Sequence, residues 1–406
     1  MHPMMKPALR RGWRDRHTVQ FGMTPAHALT VSPVDGATHG FLDLLNGTRG
    51  APLLREAGRR MDLPEGHVDR LVDRLTRVGL LDDPHAGGSE AEGLRARPRA
   101  LDRLRPDLAS LTLTTSGPGE AMRLLAARRA LRVRVWGAGR VGAILASLLS
   151  GAGVGEVEVR DSGRVEPWDV APGGLPPEAV GDRREDAARR AVRSAAPDRP
   201  PRRSRTRAAE GDGAPAVSLV VLAPRDDVAV HAPVPAEAET LLAAGIPHLY
   251  TGVAEGTGVV GPLVLPGETG CAGCLHQHRT DRDPAWPRLV AQWISGAGQR
   301  VGPCDLALAT AVAGSAAAHA LGFLDGRTPS GVGTRWEVSL PGLEWRAHPV
   351  PAHPACPCGA VAGPAGEPDS VGAGGRATMA ERRPSAAASP GGGGAARPTG
   401  TWRAHV

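Results

Sequence analysis

Leu131-Arg132-Val133-Arg134-Val135-Trp136-Gly137-Ala138-Gly139-Arg140-Val141-Gly142 is the stretch on which the fold turns. Leu131, Val133 and Val135 alternate as a short strand does, and the strand runs directly into a GxGxxG turn. Behind the turn, Val141, Ile144, Leu145, Leu148 and Leu149 recur at helical spacing and predict a helix with one apolar face. A second strand, Glu156–Arg160, ends in Asp161, 19 residues beyond Gly142. Alone, the glycine string is weak; between strand and helix it gains meaning. The glycines let backbone approach phosphates at a helix N-terminus, while the acid takes the ribose hydroxyls. Gly137, Gly139, Gly142 and Asp161 are therefore the candidate nucleotide-binding residues of an α/β, Rossmann-like domain. The competing reading is a glycine turn kept for tight strand–helix packing.

A second constellation lies far downstream. Cys271-Ala272-Gly273-Cys274 follows a Pro- and Gly-rich approach, and Cys356-Pro357-Cys358 lies 82 residues beyond Cys274. Two paired-cysteine knuckles predict a structural tetrathiolate zinc site, with Cys271, Cys274, Cys356 and Cys358 as ligands. His348 and His353 stand near enough in sequence to substitute. The fifth cysteine, Cys304, opens an Ala-rich helix, where a helix N-terminus favours thiolate chemistry and the neighbouring Asp305 opposes it.

Together these features resemble the ThiF and MoeB type adenylyltransferases, relatives of the ubiquitin-activating enzymes, over roughly residues 110–360. The resemblance rests on the glycine turn with Asp161, the Asp161-Ser162-Gly163-Arg164-Val165-Glu166 stretch, Val180-Gly181, Gly245-Ile246-Pro247, Gly252 to Val260 and the two cysteine pairs. It implies Mg-ATP as cofactor, adenylylation of the carboxylate of a peptide or small protein, and a homodimer. It also implies where catalytic residues should fall. The family's second acid falls on Gly163, its Asn on Asp169, its Arg-Gln pair on Pro172-Gly173 and its lysine on Arg184. The metal-holding acid falls on Asp226 or Asp227. Arg184, Asp226, Asp227 and Cys304 are accordingly the candidate catalytic residues, on an ATP site that has lost about half of the pattern.

Upstream, residues 19–83 carry short extended pieces followed by helical ones. Val68, Leu71, Val72, Leu75 and Val78 form the clearest helical pattern. The expected unit is a small winged-helix-like α+β domain. Across residues 60–83 its charge is −2, the wrong sign for a groove-binding helix, so nucleic acid is not the expected partner. A peptide docked on a strand edge fits better. The module resembles the peptide recognition elements of modified-peptide biosynthesis, in which a similar domain fused to a ThiF-like body presents a precursor's leader to a YcaO-type cyclodehydratase. Residues 1–18 read as an irregular basic N-terminus, 84–105 as a linker, 106–361 as the ThiF-like domain and 362–406 as a disordered tail.

Composition narrows the remaining classes. The chain of 406 residues carries a formal charge of +6, yet residues 183–207 alone hold ten Arg against three acids. Basicity thus belongs to one segment rather than to a nucleic-acid-binding surface. Lys6 is the only lysine, which excludes mechanisms needing a catalytic lysine in the core. Five cysteines are too few for a disulfide scaffold, and the basic N-terminus lacks an apolar signal core, so a cytoplasmic location is expected. Leu306 to Leu324 is apolar but mostly alanine, interrupted by Thr310, Ser315 and His319, and reads as a packed helix rather than a membrane span. An NAD- or FAD-dependent redox protein would suit Asp161 but not the cysteine knuckles. Two readings remain: an ATP-dependent adenylyltransferase, and a non-catalytic scaffold that captures a leader peptide.

Overall fold

The structure, a computed structural model, describes residues 1–198, 216–296 and 301–360. The expected tail at 362–406 and the far part of the basic segment, from residue 199, lie outside these described residues. The chain begins with β1 (Met4–Met5), β2 (Arg11–Asp15), β3 (Thr18–Phe21), β4 (Leu29–Val31), α1 (Gly36–Leu42), α2 (Ala51–Arg60), α3 (His67–Arg77) and β5 (Leu81–Asp82). Helices α4 (Gly88–Arg95), α5 (Pro98–Thr114) and α6 (Glu120–Ala127) follow. The nucleotide-binding half comprises β6 (Arg132–Trp136), α7 (Arg140–Gly151), β7 (Glu156–Arg160) and α8 (Arg184–Ala195). Next come β8 (Leu219–Leu222), α9 (Asp227–His231), α10 (Pro235–Ala243), β9 (His248–Ala254) and β10 (Thr257–Val264). Last are α11 (Ala272–Arg282), α12 (Trp286–Ser295), α13 (Leu306–Leu324), β11 (Thr334–Ser339) and β12 (Trp345–Pro349).

Two compact units emerge, with Arg10–Asp35 in one and Met1–Leu9 together with the chain from Gly36 in the other. The boundary falls inside the 19–83 stretch. In the smaller unit, β2, β3 and β4 form an antiparallel sheet with β3 central. Buried Val19 and Phe21 alternate with half-buried Thr18 and Gln20, the period-2 pattern of a sheet with one covered face. In the larger unit, α3 buries Val68, Leu71 and Leu75 as its spacing predicts.

Two stretches differ from expectation. Residues 1–18 are not irregular: β2 lies there, and Met4–Met5 pair antiparallel with Leu81–Asp82. Next to them Lys6 is buried, its Nζ donating to the carbonyls of Thr112 and Thr115 at 2.6 Å each. These partners are the orphan carbonyls ending α5, more than 100 residues away in sequence. The stretch 84–105 is not an open linker either. It forms α4 and the first half of α5, and Leu94, Leu104, Leu111 and Leu125 share one core with α6. Gly, Pro and Arg masked a helical apolar stripe there.

The main sheet runs β12-β11-β10-β9-β8-β6-β7. Strands β7, β6, β8 and β9 are parallel, and β10, β11 and β12 join antiparallel. One face is covered by α7, α8 and α13, whose small residues form the largest core with Val133, Val135, Leu219 and Val221. Helix α13 is long and apolar enough to cross a membrane, but seven of its residues are buried and it packs on α7, β9 and β10. The opposite face packs α10 and α11 against Val220, Leu222, Tyr250 and the first cysteine pair.

Lys6→Ala should strand two carbonyls at the end of α5 and cost about 1–3 kcal/mol, read as a lowered midpoint in urea unfolding.

Candidate functional site

The glycine turn is built where β6 meets α7. Gly137 has φ +108°, and a Cβ there would lie 1.9 Å from the Ala223 carbonyl oxygen. A Cβ on Gly142 would lie 2.1 Å from the carbonyl oxygen of Gly137, so helix and turn touch without a side chain between them. At the third glycine the space is taken: the Arg225 Cγ lies 2.7 Å from where a Gly139 Cβ would sit.

Asp161 reaches the turn from the end of β7. Its Oδ2 accepts the Ala138 N–H at 2.6 Å, and its Oδ1 pairs with Arg184 Nη1 at 2.7 Å. Arg184, the first residue of α8, also donates from Nε to Asp169 Oδ2 at 3.0 Å and to the carbonyls of Ser162 and Arg164. Asp169 sits on a 3-10 turn, Pro167–Asp169, and its Oδ1 takes Arg225 Nη2 at 2.9 Å. Burial opposes the charge of Arg184, but the hydrogen bond and charge of Asp161, joined by Asp169, outweigh it and bind its proton more tightly than usual. Arg140, beside Gly139, donates to the carbonyls of Trp168 and Cys304, both at 2.7 Å.

The remaining candidates are placed differently. Asp226 caps α9 by accepting the Ala229 N–H at 3.0 Å, and Asp227 lies in that helix's first turn. Neither belongs to a group of donors able to hold a metal ion among the described residues. Asp305, not Cys304, caps α13, accepting from Leu308 N–H at 3.0 Å. Burial pushes the Cys304 thiol up and Asp305 adds to this, against the pull of Arg140, so the helix end does not produce a thiolate. Arg225 and Arg140 had gone unmarked as site residues, because an arginine at the mouth of a glycine turn carries no spacing signal of its own.

The four other cysteines converge. Cys271 and Cys274 Sγ lie 3.9 Å apart, Cys271 and Cys356 3.7 Å, and Cys274 and Cys358 3.5 Å. Tetrahedral Zn–S bonds of about 2.3 Å place sulfurs about 3.8 Å apart, so the set fits zinc. The backbone N–H of His353 donates to Cys274 Sγ at 3.3 Å. With the Cys271 thiol also donating to it, Cys274 is pushed down to about 4, while Cys271 is pushed well up. The histidines do not substitute for thiols. His353 accepts the Ala355 N–H at Nδ1, so its proton is on Nε2 and goes to Asp281 at 2.7 Å. That pair braces the loop bearing the second knuckle. His348 is exposed and lies 3.7 Å from Glu337.

The ThiF family matches residues 119–358, which hold the glycine turn, the arginine network and all four clustered cysteines. This chain belongs to the ThiF family. Among solved structures, E. coli MccB with ATP superposes at TM-score 0.62 with 13% identity, covering 88% of this chain and 100% of that one. The microcin C7 biosynthetic enzyme MccB in complex with N-formylated MccA gives 0.62 and 14%, with the same coverage. PaaA gives 0.59 and 16%, covering 85% of this chain and 99% of that one. At these identities the likeness is one of fold. Among curated proteins none matches the sequence. Arg184 and Asp169, the positions on which the resemblance places the family's lysine and asparagine, are bonded to each other.

Purified protein should carry one zinc per chain by elemental analysis, lost in Cys356→Ser and released as acid protonates the thiolates. Arg184→Gln should leave two buried carboxylates without their shared partner and cost about 3–5 kcal/mol in denaturant unfolding.

Proposed function

We propose that this ThiF-family chain is a peptide-recognition protein whose nucleotide site is held shut by its own arginines, and that it presents a bound precursor peptide to a YcaO-type cyclodehydratase. The observation that carries this reading is the Asp161–Arg184–Asp169–Arg225 network. A ribose would have to share Asp161 with Arg184 on Oδ1 and with the Ala138 N–H on Oδ2, and a phosphate approaching Gly139 would meet the Arg225 side chain. Adenylyl transfer depends on positioning and on neutralising charge around phosphates, and removing one such group costs about a thousandfold in rate. Here the metal-holding acids are caps or helix residues, and the arginines are committed to carboxylates.

The peptide side of the reading rests on the three-stranded sheet. β2 and β4 are its two edges, and all five residues of β2 are exposed. An extended peptide can add to a sheet edge through main-chain hydrogen bonds, with side-chain pockets adding specificity. The proposal places the protein in the cytoplasm as a homodimer, with zinc holding the fold rather than serving the reaction.

The second reading, an adenylyltransferase using Mg-ATP, is favoured by the intact glycine turn, with Gly137, Gly139 and Gly142 all in place. ATP–pyrophosphate exchange separates the two. With a precursor peptide present, full-length protein should bind the peptide in fluorescence anisotropy without ATP and show no exchange above buffer. Peptide-dependent exchange that disappears in Asp161→Ala would overturn the scaffold reading in favour of the enzyme.

A further inference from the structure

A second cluster of arginines lies at the other end of α9 from Arg225. Along β11, Trp336 and Val338 pack into the core beneath α13, so Arg335 and Glu337 face the opposite side of the sheet. Arg335 is 1% exposed. Its Nη1 donates to the Val230 carbonyl at 3.2 Å and its Nε to Glu337 Oε1 at 2.6 Å. Its Nη2 has no partner among the described residues. Arg279, from α11, donates to the next carbonyl, His231, at 2.7 Å. Two guanidinium groups thus converge on consecutive carbonyls ending one short helix.

Capping those carbonyls uses one donor of each and leaves the charge unbalanced. Arg279 forms no ion pair among the described residues, and Glu337 is the carboxylate that serves both arginines. Burial, reinforced by both arginines, pushes His231 down to about 4, so it adds no charge near neutral pH. The cluster therefore carries net positive charge, to which the nearby Arg282 adds, in a setting where unpaired charge is expensive. Its wall is aromatic: Arg279 lies over the Trp286 ring at 4.7 Å, and His231, Trp286 and Trp293 meet edge to face with centroids 5.7–6.0 Å apart. Trp293 is 40% exposed, which leaves one side of this wall open to solvent.

We infer that Arg279 and Arg335 form a receptor for one carboxylate group, carried by the peptide that the protein recognises. Net positive charge matches an anion, N–H groups on planar forks suit a carboxylate, and indole faces suit the apolar atoms beside it. The receptor follows from the residues themselves; only the identity of the carrier rests on the peptide reading. Because α11 begins at the cysteine knuckle, the thiol site also sets the position of Arg279.

Tryptophan emission, with Trp286→Phe to assign it, tests the receptor in the full-length protein. Three probes are titrated: N-acetylglycine for a terminal carboxylate, N-acetylaspartate α-amide for a side-chain carboxylate, and inorganic phosphate. A saturable response to one carboxylate probe is expected, with affinity at least about tenfold weaker in Arg279→Gln. Should that variant fail to fold by circular dichroism, Arg279→Lys, which keeps the charge but not the fork, should weaken binding to a lesser degree. No saturable response, equal affinity in the variant, or tighter binding of phosphate than of either carboxylate would overturn the inference. The probe that binds tells a peptide terminus from an acidic side chain. Peptide capture with no carboxylate response would sink the receptor alone. A carboxylate response without peptide capture would sink the peptide reading alone.

Discussion

Everything around the glycine turn depends on one guanidinium. Arg184 opens α8, yet it makes four hydrogen bonds, to the acid after β7, the acid on the following 3-10 turn and two carbonyls between them. Those segments are separated by up to 23 residues, and besides the guanidinium only a short antiparallel bridge, Arg164 with Arg183, and its flanking backbone hydrogen bonds tie them together. A buried guanidinium of this kind is tolerable only when both of its carboxylates stay in place, and they in turn are tolerable only with it. The β7–α8 connection is therefore tied into the domain by buried, paired charge.

The same arrangement ties together Arg184 and Asp169, the two positions on which the resemblance places a lysine and an asparagine. A lysine at position 184 would bring a point charge with three donors and could not span two carboxylates and two carbonyls from one planar group. An asparagine at 169 would supply half the acceptors and no charge. Asp169 then has capacity for a second arginine, Arg225, which carries the network across to the mouth of the turn.

Much of this architecture was legible in the residues. Alternation at Leu131, Val133 and Val135, the glycine turn and the helix after it describe a local strand–turn–helix, and local geometry is what periodicity reports. The cysteine pairs were readable because thiols at such spacing have few other uses, and α13 because its bounds follow an unbroken run of small apolar residues. What stayed hidden was long-range. Lys6 meets α5 more than 100 residues on, Arg279 and Arg335 meet only through α9, and α4 was obscured by Gly and Arg around Ala91 and Leu94. Cys304 misled because position relative to a cap matters by a single residue: Asp305 takes the helix end and the thiol is left outside it.

The burial of Lys6 has a practical side. With the chain's one lysine locked against Thr112 and Thr115, amine-directed reagents meet no exposed side-chain amine. Succinimidyl dyes or biotin would label the amino terminus alone, giving a uniform single-site conjugate. Amine-directed cross-linkers, by the same token, would report only on partners near the amino terminus, so neighbours elsewhere are better mapped with carboxylate- or arginine-directed chemistry.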